Sequence, residues 1–390
     1  MKTSKRPKAH AILSASKAYQ WIECTPSAVI NSKIKEAPSE YAAEGTKAHE
    51  IAETFLRAYL RGDEAPKFSG ADAGIVGEVY PYVDRVIREY SELKKQNSDT
   101  LMLVETQVSF DQWVPEGFGT ADIIILSGKT IYVKDLKYGK GVEVSAKDNP
   151  QIRCYALGAL QEFGMLYNVD TVDVEILQPR INNYSSEVMP VEYLLNWAKK
   201  VLKPAAAKAA KGEGELTAGE HCRFCKYSAQ CPQRASENTA VMKVGTPEVT
   251  SLTNDQISDL LYHAEEFSSW LKSLKDYVTE RLMAGESLMG WKLVEGRSIR
   301  RWTDTKAVEQ ALLNAGYDDS LIHKRELYGI TDMTRIMGGK KKLETLLGDY
   351  IEKPAGKPTL VRDTDSRPAI GNSEIHDFDE IDAPEGAKGE

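Results

Sequence analysis

Two aspartates and a lysine are the first residues whose types and spacing imply chemistry: Asp122, closing Gly119-Thr120-Ala121-Asp122, and Asp135 with Lys137 in Asp135-Leu136-Lys137. Between them Ser127-Gly128-Lys129 reads as a hairpin turn. With Leu126 facing Ile131, partner numbers sum to 257 and Asp122 falls opposite Asp135. Their Cβ atoms would then lie about 4.5–5.5 Å apart on one face, with Lys137 on that face by alternation. Two convergent carboxylates with a backbone carbonyl suit Mg²⁺ or Mn²⁺. A nearby lysine can handle a water and stabilise phosphoryl charge, which is the equipment of phosphodiester hydrolysis. The same residues also read as strand-end charges, with Lys137 their salt-bridge partner.

A second constellation is sulfur. Cys222, Cys225 and Cys231 form C-x2-C-x5-C, and three thiolates so close call for a metal. The fourth ligand is either His221, which completes a zinc site, or the distant Cys24, and softness and spacing permit zinc or iron–sulfur alike. Cys154 is left over and reads as a small buried hydrophobe.

These residues need elements to hold them. Apolar residues at helical spacing predict a helix within Ser39 to Gly62, with Thr46 as its N-cap, and another over Val76 to Lys95. Strands are predicted over Leu101 to Phe110, Gly119 to Leu126 and Thr130 to Lys137, then a helix from Pro150 to about Phe163, a strand Asp170 to Leu177 and a helix Val191 to Lys211. Helices and strands in this order make an α/β core. Beyond the cysteines, Leu252 to Met289 reads as a long amphipathic helix or helical hairpin, Trp291 to Trp302 as a short strand pair, and Thr305 to Ala315 and Lys340 to Leu347 as helices. The organisation expected is a domain over 1–235, a mostly helical accessory region over 240–354 and an acidic, disordered tail over 355–390.

Composition is that of a globular protein: of 390 residues 42% are hydrophobic and 28% charged, which excludes a wholly disordered, collagenous or disulfide-scaffold chain. Net charge is −8, but residues 361–390 hold nine acids and three bases, leaving only −2 on the rest, so overall charge does not argue against a nucleic-acid partner. The lysines at 199, 200, 203, 208 and 211, and the group Arg297, Arg300, Arg301 and Trp302, are either phosphate-tracking residues or solvated faces. No run of 18 apolar residues occurs and the N-terminus lacks a signal-peptide pattern, so a soluble, cytoplasmic protein with no membrane partner is expected.

The acidic motifs resemble the core of the PD-(D/E)XK nuclease superfamily, and other segments resemble its RecB-type branch. Gly45-Thr46-Lys47-Ala48-His49 is similar to that branch's helical motif, and Gln151-Ile152-Arg153-Cys154-Tyr155 to its Gln-x-x-x-Tyr motif. One cysteine before the core and three after it is similar to the order in AddB-type nucleases and the CRISPR adaptation nucleases. The second acid is commonly Glu in the superfamily and is Asp135 here.

The resemblance covers about residues 10–235. It implies a PD-(D/E)XK core in which His49, Asp122, Asp135 and the Leu136 carbonyl hold Mg²⁺ or Mn²⁺, Lys137 handles the attacking water, and Gln151 and Tyr155 position the strand, with Glu53 a weaker, supporting candidate. It further implies a 4Fe–4S cluster on Cys24, Cys222, Cys225 and Cys231, with Zn²⁺ the alternative. The activity implied is that of a DNA exonuclease acting on linear ends. The rivals are a silent protein of the same fold that binds DNA ends and a zinc-stapled interaction scaffold. Most of the chain, from His10-Ala11-Ile12-Leu13 through Trp21 and Cys24 to Gly290-Trp291-Lys292-Leu293, also resembles a phage and prophage family of unknown function. That likeness implies a replication or recombination setting in a bacterial host cytoplasm, with a phage single-strand annealing or single-strand-binding protein as partner.

Overall fold

A computed structural model describes residues 11–34, 40–242, 253–294, 305–315 and short stretches between 330 and 351. In chain order the elements are α1 (Ala18–Glu23), α2 (Ser27–Ser32), α3 (Glu40–Arg61), α4 (Ala71–Gln96), β1 (Leu101–Ser109), β2 (Phe118–Ser127), β3 (Thr130–Leu136), α5 (Pro150–Phe163), β4 (Thr171–Gln178), β5 (Asn183–Pro190), α6 (Val191–Trp197), α7 (Lys203–Lys211), α8 (Pro232–Met242), α9 (Asn254–Met283), α10 (Thr305–Asn314) and α11 (Lys340–Leu347). A π turn over Ala198–Leu202 joins α6 to α7. Among the described residues no helix is long and apolar enough to cross a membrane.

The five strands form one mixed sheet in the order β1-β2-β3-β4-β5, antiparallel except for the central β3–β4 pair. A parallel pair needs a crossover, and α5 supplies it, started by Pro150 at its first turn and by Asn149, whose side chain accepts from the Gln151 and Ile152 N–H groups. The run Ile123-Ile124-Ile125-Leu126 is apolar without alternation because both faces of the sheet are covered. Ile124, Leu126, Ile131 and Val133 pack under α5 residues such as Ile152, Ala156 and Leu157. Ile123, Ile125 and Leu136 pack on the other side, against Ile51, Leu56, Val79, Tyr82 and Val83 of α3 and α4. Lys134 lies within this second layer, 3% exposed, and is satisfied by Glu175 at 2.5 Å and Glu89 at 2.8 Å.

The helices α1, α2 and α8 were not expected, and three other elements depart from expectation. The helix holding His49 starts at Glu40, so Thr46 lies inside it and is not its N-cap. The edge strand β5 was not foreseen, because Asn183-Tyr184-Ser185-Ser186-Glu187 carries polar groups where a core strand carries branched ones. In the expected strand pair Trp291 to Trp302 the described part holds a single bridge, Leu288 to Trp291; residues 295–304 and the tail 355–390 lie outside the described residues. The chain divides into two compact units, 1–294 and 295–390, so the expected boundary at 235–240 lies within the first. There α8 is tied to α9 by Arg234, fully buried, whose Nε donates to Glu266 at 2.7 Å.

Candidate active site

The hairpin keeps the expected register, Leu126 opposite Ile131, as far as Ile123 opposite Lys134, and stops one pair short of Asp122 and Asp135. Two carboxylates set directly across a ladder repel, and the chain resolves this by turning one of them. Asp122 Oδ2 accepts from the Leu136 N–H at 2.6 Å, binding β2 to β3 through a side chain where the backbone ladder ends.

The cause lies one strand further out. The β1–β2 ladder runs from Val104 opposite Ile123 to Thr106 opposite Ala121 and skips the intervening pair, Glu105 and Asp122. Glu105 has φ 46°, a left-handed conformation that non-glycine residues rarely adopt. Both strands exchange faces at this point. Val104 and Ile123 belong to the layer under α3 and α4, whereas Val108 and Ala121 belong to the layer under α5, although simple alternation would give each strand's two residues one face. Glu105 and Asp122 thereby meet His49 of α3: its Nδ1 lies 3.4 Å from Asp122 Oδ1 and 3.5 Å from Glu105 Oε1. Among the described residues this is the one group in which three His, Cys, Asp or Glu ligand atoms lie within 4.8 Å of one another. Glu105 was missed in the sequence because it reads as the polar residue of an alternating strand.

A second group forms on the α5 side of β3. Lys137 Nζ lies 2.8 Å from Asp135 Oδ2 and donates to Gln151 Oε1 at 2.9 Å. The Gln151 amide nitrogen donates in turn to Asp135 Oδ1 at 3.1 Å and to the Tyr155 hydroxyl at 3.3 Å. Gln151 therefore clamps acid and lysine together, and Tyr155 fixes its orientation. Gly119 makes room for the ring: a Cβ there would stand 2.7 Å from Tyr155 Cε1. Glu53, one turn beyond His49, points to Arg57 at 2.7 Å and takes no part in either group.

The electrostatics follow from three carboxylates in a buried space. Burial by itself would lower the His49 pKa, but Asp122, Glu105 and Asp135 outweigh it and lift the imidazole to about 10. Burial raises the Glu105 carboxyl, against the opposing pull of His49. Burial likewise raises Asp135, with Lys137 opposing and Asp122 assisting. The site concentrates negative charge that His49 and Lys137 answer, and a divalent cation would answer it more strongly.

The four cysteines named from the sequence line one cavity together with His221. Cys24 comes from the end of α1 and the others from the segment after α7. Backbone carbonyls stitch the two together: Thr25 Oγ1 donates to Glu213 O at 2.5 Å and Thr217 Oγ1 to Glu23 O at 2.7 Å. Asn31 Nδ2 donates to Cys225 Sγ at 3.5 Å. Burial would raise the Cys24 thiol, but hydrogen bonds from His221 and Thr217 bring it below its ordinary value. The ligand atoms spread more widely than the 4.8 Å grouping at His49. Cys154 lies elsewhere, inside α5, where burial pushes its thiol up.

Compared with known sequences, residues 10–368 match the profile of a family described as "Protein of unknown function (DUF2800)", and the chain belongs to that family. Among solved structures, one titled "Crystal structure of SSO0001" aligns at 13% identity over 55% of this chain and 95% of that chain, with a TM-score of 0.23, too low to carry an argument.

Proposed function

We propose that this protein is a metal-dependent DNA nuclease with a PD-(D/E)XK core, and that it is an exonuclease acting on linear DNA ends in phage replication or recombination. The observation that carries the reading is the gathering of His49, Asp122, Asp135, Lys137, Gln151 and Tyr155, scattered over 107 residues of sequence, at the point where β2 and β3 part.

The donor set fits a hard divalent ion: the carboxylate oxygens of Asp122 and Glu105 with the His49 imidazole in one group, and the Asp135 carboxylate close enough to feel the charge of Asp122 and His49. Asp122, Asp135, His49 and the Leu136 carbonyl would hold it, with Glu105 added to the set on its position. Mg²⁺ or Mn²⁺, when bound, polarises a phosphoryl oxygen and makes a water more acidic. Lys137 holds a proton at Nζ beside Asp135, where it orients a water and offsets charge on a phosphoryl oxygen. Gln151 keeps that ammonium from rotating away, and the buried Tyr155 keeps Gln151 in its rotamer. Asp135 in place of Glu still reaches the lysine at 2.8 Å, so the shorter arm does not disconnect the pair.

For the sulfur cavity the reading is a 4Fe–4S cluster on Cys24, Cys222, Cys225 and Cys231. Tetrahedral zinc with Zn–S of about 2.3 Å draws its sulfurs to about 3.8 Å from one another. Softness permits either metal, and the order of one cysteine before the core and three after it is what favours the cluster over a single ion. The cluster would staple the N-terminal segment to the segment behind the core. The test is DNA cleavage by anaerobically purified protein in Mg²⁺ or Mn²⁺, beside iron and zinc analysis of the same sample. Binding without cleavage would favour a silent end-binding protein, and stoichiometric zinc in a colourless sample a zinc-stapled scaffold.

A further inference from the structure

The helical stretch from Val191 to Lys211 has two unlike sides. Ala198, Leu202, Ala206 and Ala209 are buried in the core, while Lys199, Lys200, Lys203, Lys208 and Lys211 are all exposed. No acidic residue occurs between Tyr193 and Gly212. Among the described residues none of Lys199, Lys200, Lys203 and Lys208 has an acidic partner, and Lys211 meets only Glu213, at 3.8 Å. Some lysines elsewhere are answered, Lys47 by Asp72 and Glu50, Lys95 by Glu92, Lys134 by Glu89 and Glu175, Lys140 by Glu78, whereas here four lysines of one helical stretch are not. In a chain of net charge −8 an unanswered row of cations is the exception.

Helix electrostatics explains only part of it. Lys208 and Lys211 sit in the last turn, where they favour the C-terminal end of the helix dipole. Lys199, Lys200 and Lys203 lie at its middle and gain nothing there. Between Lys203 and Lys211 the intervening residues, apart from Lys208, are Pro204 and five alanines, so the helix itself sets nothing larger than proline beside those ammonium groups. The helix is held firmly, its C-terminus closed by Gly212 at φ 70° against Val29.

We infer that this lysine ridge is a track for the phosphate backbone of duplex DNA, a surface separate from the residues that would perform cleavage; the inference rests on the nuclease reading. The dimensions agree. From Lys199 to Lys211 the helix advances about 18 Å at about 1.5 Å per residue, and one strand of B-DNA presents a phosphate about every 3.4 Å along its axis, about five over that length.

The experiment measures binding of a labelled linear duplex by fluorescence anisotropy, using the full chain in EDTA so that nothing is cut, across a series of salt concentrations. The variant is K199Q/K200Q/K203Q/K208Q, with K272Q/K275Q on α9 as control. If four phosphate contacts are lost, the slope of log K against log salt falls in magnitude by about 3 to 4, since each contact contributes about 0.9. Affinity near 0.1 M salt should drop at least about 100-fold, the control should match wild type, and the corresponding Lys→Arg variant should restore both quantities. If the quadruple Gln variant loses helix content, the single Lys→Gln variants decide, each lowering the slope by about 0.9. Tight wild-type binding with a slope unmoved by the ridge variants, or moved equally by the control, overturns this inference and leaves the nuclease reading standing. Absence of any wild-type binding to duplex overturns both.

Discussion

At the scale of single residues, the account turns on which side chains answer the charge of Asp122, Asp135 and Glu105. Asp122→Ala or Lys137→Ala should reduce cleavage at least about 1,000-fold without unfolding the protein, read by rates beside circular dichroism. Glu105→Gln should weaken Mn²⁺ binding by about 10-fold or more in calorimetry; unchanged affinity would remove Glu105 from the ligand set. His49 gives a pH dependence. Its pKa in the fold is about 10, above the ordinary imidazole value, because Asp122 and Glu105 overcome its burial. In cation-free protein its contribution to stability is therefore fully present below about pH 6.5 and is lost as pH rises through about 10. The gap in thermal midpoint between wild type and His49→Gln, measured in EDTA, should be largest near pH 6 and shrink steadily towards pH 10. A gap that widens with pH would contradict the placement of His49 between two carboxylates. Most of this residue set was legible beforehand, since Asp122, Asp135, Lys137, His49, Gln151 and Tyr155 each stand in a short motif. Glu105 was not: nothing about a glutamate in an alternating strand announces φ 46°, which is imposed by the sheet around it.

At the scale of elements, the site exists because β2 and β3 stop pairing and because β1 and β2 exchange faces. The hairpin register was readable from Leu126 and Ile131, since a turn of known length fixes every later pair. The end of that register was not, because it depends on repulsion between Asp122 and Asp135 and on the distortion of β1, a strand whose partner the sequence does not name. The packing of α5 over β2 is similarly hidden in one glycine. Gly119→Ala should push the Tyr155 ring away, cost about 1–3 kcal/mol by overpacking, and slow cleavage through loss of the Gln151–Lys137 contact. In a Tyr155→Ala background the same substitution should cost little more, because the ring it collides with is gone. Additive losses in that double-mutant cycle would show that Gly119 acts through something other than Tyr155. The strand β5 escaped prediction because its half-buried positions Asn183, Ser185 and Glu187 are polar, where a core strand carries branched residues.

At the scale of the whole molecule, the chain brings Cys24 to within one cavity of Cys222, Cys225 and Cys231, across almost 200 residues. The sequence offered the composition of that site and two choices for its fourth member; the fold gathers both Cys24 and His221 there, because Thr25 and Thr217 tie the two segments by their backbones. If the cavity holds iron–sulfur, Cys24→Ser should lose iron and the broad absorbance near 400 nm, and lower the thermal midpoint by at least about 5 °C, since metal affinity is also folding free energy. Full iron content in Cys24→Ser would mean that Cys24 is not a ligand.

The central claim is that the group at the parting of β2 and β3 is a nuclease centre, and its most direct test is cleavage of end-labelled linear DNA beside covalently closed circular DNA. Anaerobically purified protein would be assayed in Mg²⁺, Mn²⁺ and EDTA, with Asp135→Ala as control. The account expects the linear DNA to be shortened from its ends in either metal, no loss in EDTA, no loss with the variant, and the closed circle left intact. Failure of wild-type protein, with its metal content verified, to degrade any DNA form would contradict it, as would equal cleavage by the Asp135→Ala variant.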